Sequence, residues 1–483
     1  MKVNIIGDQP SGVYYGVSWD ENADTYARTG YFSSEATGSS PGNSKLPIQR
    51  KMRRCIINDS GVRQYYLNAS NSNFKEDGIV ASNLDGTDGQ VMVEIPKFYY
   101  KYGYAGTTHT WEISLYPLSG FTIHPAFVKN GAEVNYRYMG AYEGVLYDMS
   151  EARYENGLYL PSDVTYTITF GDNGGDPDTI TSDVLTHPFT NLVAGDLVVV
   201  SGSAANDGTY TVVSSTDTVI TLATGSLAAS TANDQCIIQT QKDWTATTGD
   251  VLGSVSGFLP ITQGTRANFR AAAKNRGIGW RQQDFDLISA IQLLYLVEYA
   301  SFYSQSMIGN GFTDWSSVNW LAWSNYNPIN TTGLTNSLGN ATGNLSNGNG
   351  MVGSYMSYRG IENFFGHLWK WVDGFNINNN IPYVCNVDTN FADDTTTNYT
   401  ALGVTMHNAD GYVDTLEQQA RGFLPASVGA STKITDYYYQ SSGWRVARLG
   451  GSAYFGAYAG FFCWHLIDGS GGLGRTIAGR LCF

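Results

Sequence analysis

The stretch RLGGSAYFGAYAGFFCWHLIDGSGGLGRTIAGRLCF, residues 448–483, decides how the chain is read. It closes the sequence on an aromatic, glycine-punctuated run with Phe483 last, whereas chain ends are ordinarily polar and frayed. A terminus of this make-up has to be packed. The stretch therefore predicts a core strand, with Phe461, Phe462 and Phe483 inside and part of its surroundings as a working surface.

At 483 residues the chain is too long for one ordinary core and should divide into roughly two to four units. A net charge of −14 argues against a nucleic-acid groove or an anionic membrane surface, both of which need clustered Lys and Arg. Apolar residues make up 42%, yet no uninterrupted apolar run reaches the ~18 residues of a membrane span, so no membrane insertion is expected. The start MKVNIIGDQPSG also lacks the basic-then-apolar build of a signal peptide. Cys55, Cys236, Cys385, Cys463 and Cys482 are scattered and never form C-x-x-C, which favours buried free thiols over a disulfide framework or zinc site. The 55 glycines and 33 tyrosines, set among few charges, point to loop-rich β structure with a surface written in Tyr, Asn, Ser and Gly. Binding loops favour that vocabulary, because Tyr offers much contact area for two side-chain torsions.

Along the chain, residues 1–50 show no sustained helical period and read as an extended N-terminal arm or small β unit. Residues 51–162 form a β-rich region, with RRCIIND, VRQYYLNAS, QVMVEIPKFYYKY, THTWEISLYP and VNYRYMGAYEG as strands and LDGTDG (84–89) as a turn. Residues 163–241 change abruptly to Thr, Ser, Val, Ala, Asp and Gly; TYTITF, DLVVVSG, GTYTVVSS, TVITLAT and QCIIQT predict an inserted small β-barrel or sandwich. Helix signals come only within 242–483. Thr265 caps ANFRAAAKNR, with Gly277 as stop, and Asp284 or Asp286 caps DLISAIQLLYLVEYASFY, whose all-round apolarity predicts a buried helix. Glu298 within it reads as a buried carboxylate paired with a nearby Arg or backbone amide. Residues 309–353 show no period, but Trp315, Trp320, Trp323 and Tyr326 argue against disorder.

Chemistry-bearing motifs are weak. Gly469-x-Gly471-x-x-Gly474 matches a dinucleotide fingerprint only formally, since no βαβ unit frames it. Cys463 and His465 share one face of a predicted strand without a third, orienting group, and no G-x-S-x-G occurs. The six histidines form no H-x-H or H-x-x-x-H pair. No catalytic residue, metal or cofactor is therefore expected, and the chain is read as a non-enzyme.

One constellation goes further. Gly366, Trp369, Trp371, Asp373 and Gly374, then Arg421 to Pro425, then Gly443 to Ser452, and finally Gly479, Arg480 and Leu481 resemble, in order, the closing motifs of the formylglycine-generating-enzyme type of C-type lectin fold. The resemblance spans roughly 90–160 and 245–483. Within that fold the chain looks most like phage receptor-binding and tail-fibre proteins, among them the variable proteins of diversity-generating retroelements of the major-tropism-determinant type. LDGTDGQVMVEIPKFYYKY, FTIHPAFVKNGAEVNYRYMGAYEG and SYRGIENFFGHLWKWVDG also resemble segments of phage virion proteins. The oxidising enzymes' cysteine pair and the calcium tripeptides of sugar-binding lectins have no counterpart here.

The resemblance implies an α+β chain: a C-type-lectin-like domain with two helices and loop-rich β structure, preceded by a β-rich N-terminal region and carrying an inserted all-β module. It implies a tail-fibre or tip protein on the surface of the phage particle, assembled in the host cytoplasm. Its partners would be a host cell-surface protein or glycan and other virion tail proteins, and its state a homotrimer. Gly450, Gly451, Gly456, Gly460, Trp464, Leu466, Gly479 and Arg480 would be scaffold. Tyr454, Phe455, Tyr458, Cys463, His465, Ile467, Asp468, Leu473 and Arg475 would be the displayed, ligand-binding set. A purely structural decoration or adaptor protein of the virion, or an oxidase of the formylglycine-generating type, are the rival readings.

Overall fold

Three α-helices stand among the described residues: α1 (Arg266–Asn275), α2 (Phe285–Tyr299) and α3 (Ser304–Ile308). The structure is a computed structural model and describes residues 12–150, 152–155, 165–182, 189, 192–240, 249–314, 329–346 and 354–483. Local side chains start the two longer helices. Thr265 accepts the N–H of Asn268, whose side chain returns a bond to the cap, closing a capping box. Asp284 Oδ1 accepts the N–H of Leu287 at 2.9 Å. All 15 residues of α2 are buried, as its all-round apolarity requires. The helix packs against the strands Tyr15–Asp20, Thr108–Ser114 and Trp369–Asn378.

Sheet dominates the regular structure. Among the described residues strand accounts for 38% and helix for 11%, which corrects the α+β, C-type-lectin-like class to a mostly-β one. The physical reason lies in where each period occurs. Helical spacing is confined to one segment, residues 266–308, while alternating strands recur before and after it.

Tyr15–Asp20 lies inside a five-stranded sheet, between Thr25–Gly30 and Thr108–Ser114, with Val17 opposite Trp111. Trp19 is buried and meets Phe302 edge-on at 5.0 Å, and Phe302 meets Phe462 of the tail at 4.9 Å. Residues near the two ends thus share one core. Leu481–Cys482 is a central strand of a six-stranded sheet, flanked by Arg281–Gln282 and Tyr136–Gly140. Phe483 itself is half-buried and packs on Trp280 at 5.1 Å.

Residues 165–240 form a seven-stranded sheet whose described strands pair only with one another. Thr165–Gly171 and Leu197–Ser201 alternate buried and half-exposed residues, so one face is apolar and gathers Ile168, Phe170, Val198 and Val200. Arg153 ties this unit to the rest, donating from Nη1 to the carbonyl of Ala194 at 2.9 Å and pairing with Asp196 at 3.3 Å. Replacing 165–240 with a short Gly/Ser linker is expected to leave a chain that still melts cooperatively, because the described strands of this sheet form no ladder with the strands of the host. Loss of cooperative melting in the shortened chain would show the sheet to be integral.

Candidate functional site

The strand Ile434–Gln440 (ITDYYYQ) alternates strictly: Ile434, Asp436, Tyr438 and Gln440 are buried, while Thr435, Tyr437 and Tyr439 lie on the partly exposed face. Its antiparallel neighbour Gly411–Leu416 places Tyr412 directly opposite Tyr437, with ring centroids 5.2 Å apart at 78°. The short 3-10 turn Gly456–Tyr458 then lays Tyr458 over both, 4.7 Å from Tyr437 and 5.8 Å from Tyr412. Tyr439 continues the row, 4.7 Å from Tyr437 and 5.9 Å from Phe455. Tyr458, at 41% exposure, is an open member of the row, and Tyr454, which precedes Phe455 in sequence, is 53% exposed. Burial raises the hydroxyl pKa values of Tyr412, Tyr437 and Tyr439, so these phenols stay protonated donors and the face is uncharged.

The support beneath is rigid. Asp436 points inward and accepts the N–H of Phe462 at 2.7 Å. Gly460 passes so close that a Cβ there would lie 2.0 Å from an Asp436 oxygen, which explains the glycine. Trp464 is buried and donates from Nε1 to the carbonyl of Gly422 at 2.8 Å. Arg480 is buried and holds the carbonyls of Gly140, Glu362 and Asn363.

The displayed set inferred from the sequence is therefore divided. Phe455 and Tyr458 belong to the tyrosine face, and Tyr454, next to Phe455 in sequence, is exposed. Cys463 is wholly buried and His465 is only 8% exposed, so neither is displayed. The strand of His465, Trp464–Leu466, which Cys463 immediately precedes, runs between Trp444–Leu449 and Ile434–Gln440, and the rings of Trp369 and Tyr439 cover His465 at 5.2 and 4.9 Å. Asp468 ties down the end of this strand through Arg448 at 2.8 Å and His465 at 3.2 Å. Burial holds the His465 pKa below its ordinary value, the Asp468 contact offsetting only part of that, so the imidazole is neutral near pH 7. Ile467 and Leu473 are exposed on the loop that follows, where Arg475 is half-buried.

Tyr412, Tyr437 and Tyr439 were missing from the sequence-derived set, although the alternation in ITDYYYQ carries the signal for two of them. Trp315, Trp320, Trp323 and Tyr326 lie outside the described residues.

Burial raises the thiol pKa of each of the five cysteines, and all five are free. A buried ionisable group joins Glu143 to His367 at 2.5 Å and to Lys370 at 3.0 Å, with all three side chains at 2% exposure. Enclosed in this way, it braces the core. Among the described residues no group of three or more His, Cys, Asp or Glu could hold a metal ion, and no helix is long and apolar enough to cross a membrane. Comparison with known protein families and with curated proteins finds no match to this sequence.

Proposed function

We propose that this chain is a phage virion protein of the tail fibre or receptor-binding tip, which holds a host surface protein or glycan on its tyrosine face without changing it chemically. The observation that carries the reading is the row Tyr412, Tyr437, Tyr458, Tyr439 and Phe455, contiguous, uncharged and mounted on a buried sheet. Rigid aromatic anchors with polar tips dominate binding energy in such surfaces while costing little conformational entropy. The three stretches resembling phage virion segments give the particle as the setting, with a homotrimer and neighbouring tail proteins as its assembly. The buried, protonated thiols support binding over covalent chemistry.

Adsorption of the purified protein to host cells, run beside thermal melting, tests this. Tyr454→Ala with Tyr458→Ala is expected to melt close to the parent, since both side chains are exposed, and to lose about thirtyfold or more in affinity. A double variant that melts and adsorbs like the parent would remove the tyrosine face as the binding site.

A further inference from the structure

The turn LDGTDG, residues 84–89, forms one wall of a cleft of about 710 Å³ that shares no residue with the tyrosine face. Its shape is fixed locally. Asp85 Oδ1 accepts the N–H of Thr87 at 2.9 Å, and Asp88 Oδ2 accepts the hydroxyl of Tyr65 at 2.6 Å.

The aromatic wall is Tyr147, Tyr154 and Phe258, with Tyr154 5.0 Å from Tyr147 and 5.3 Å from Phe258 between ring centroids. Tyr154 is clamped. A Cβ on Gly86 or on Gly253 would lie 2.6 Å from its ring, and Gln90, itself fixed by the N–H of Ser254 at 2.7 Å, donates to its hydroxyl at 3.1 Å.

The cleft's cations are already committed. Arg276 pairs with Asp59 at 2.7 Å and donates to the carbonyl of Leu252, while Arg153 is shared by Glu155, Asp196 and the carbonyl of Ala194. Among the described residues no Lys or Arg pairs with Asp85 or Asp88.

We propose that this cleft binds a neutral oligosaccharide. A sugar ring presents a flat C–H face and a rim of hydroxyls. The C–H face fits against rigid aromatic rings, and the hydroxyls donate charge-assisted hydrogen bonds to the carboxylates of Asp85 and Asp88, which among the described residues have no Lys or Arg partner. The same carboxylates, in a chain of net charge −14, repel phosphorylated, sulfated or sialylated ligands. The volume lies within the range of small-ligand sites, roughly 300–1,000 Å³. The cleft's role stands whether or not the tyrosine face holds a receptor.

The test is binding of the purified full chain to an array of neutral and acidic oligosaccharides, followed by titration of the strongest neutral glycan. Neutral glycans are expected to bind and sialylated forms of the same glycans are not. Tyr147→Ala should weaken the titrated glycan about tenfold or more, while Tyr147→Phe should bind like the parent. Thermal melting of each variant separates lost binding from lost folding. An array without neutral binders, equal binding of sialylated forms, or a folded Tyr147→Ala that binds like the parent would each overturn the proposal. Failure of cell adsorption in the tyrosine-face variants would leave it standing.

Discussion

Glu298→Ala is expected to destabilise the protein by about 3–5 kcal/mol, the loss that follows when one partner of a buried ion pair is removed. Glu298 sits near the end of α2 with its side chain 1% exposed, and Arg359, 8% exposed, reaches it with two nitrogens, Nε lying 3.0 Å from Oε2. Ser40 and Tyr358 donate to the same carboxylate at 2.8 and 3.2 Å, so three segments far apart in sequence, those of Ser40, Glu298 and Tyr358–Arg359, converge on one group. Truncation leaves the guanidinium buried with only the side chain of Asn43 as a side-chain acceptor. Glu298→Gln, which keeps shape and acceptor but not charge, should fall between parent and Glu298→Ala. Denaturant unfolding reads the effect directly. A Glu298→Ala protein within about 1 kcal/mol of the parent would mean that the pair does not hold the end of α2 in place.

The same residue marks how far sequence reaches. That Glu298 is buried and paired follows from the apolar positions around it on the helix, because a charge placed there must be compensated. That the partner is Arg359, 61 residues away, does not follow, since no local pattern encodes a contact closed by the tertiary fold. The caps Thr265 and Asp284 were legible for the opposite reason: their bonds run to residues three positions on.

The tail shows both cases at once. Its aromatic density correctly implied a packed strand at Leu481–Cys482. Period-two alternation, however, cannot say which faces are covered; both faces of Trp464–Leu466 are, and Cys463 just before it is buried too, so neither Cys463 nor His465 is on the surface. Tyr412 joins the site only through its register opposite Tyr437. The class was misjudged because glycine turns and tryptophan-bearing strands suit many β arrangements, and motifs of that kind do not limit the number of sheets.

Asp436→Asn is expected to stabilise the protein progressively as pH rises, a test of the support under the tyrosine face. Burial pushes the Asp436 carboxyl from 3.8 up to about 8, and the N–H of Phe462 only partly offsets that. The sign follows from proton linkage. Between about pH 4 and pH 8 the unfolded chain has released this proton while the folded chain retains it, so stability is full below the unfolded pKa and declines as pH rises toward the folded one. At about 1.4 kcal/mol per pH unit, the whole window is worth on the order of 5 kcal/mol. Asparagine keeps an acceptor for Phe462 and has no proton to lose, so this contribution should be absent from the variant. Parent and Asp436→Asn are expected to have similar stability near pH 4 and to separate steadily toward pH 8, the variant being the more stable, as read from denaturant midpoints across that range. Parallel pH profiles would show that Asp436 ionises freely in the folded state. The sheet beneath Tyr437 and Tyr439 would then admit water, and the rigid mounting on which the binding face depends would not exist.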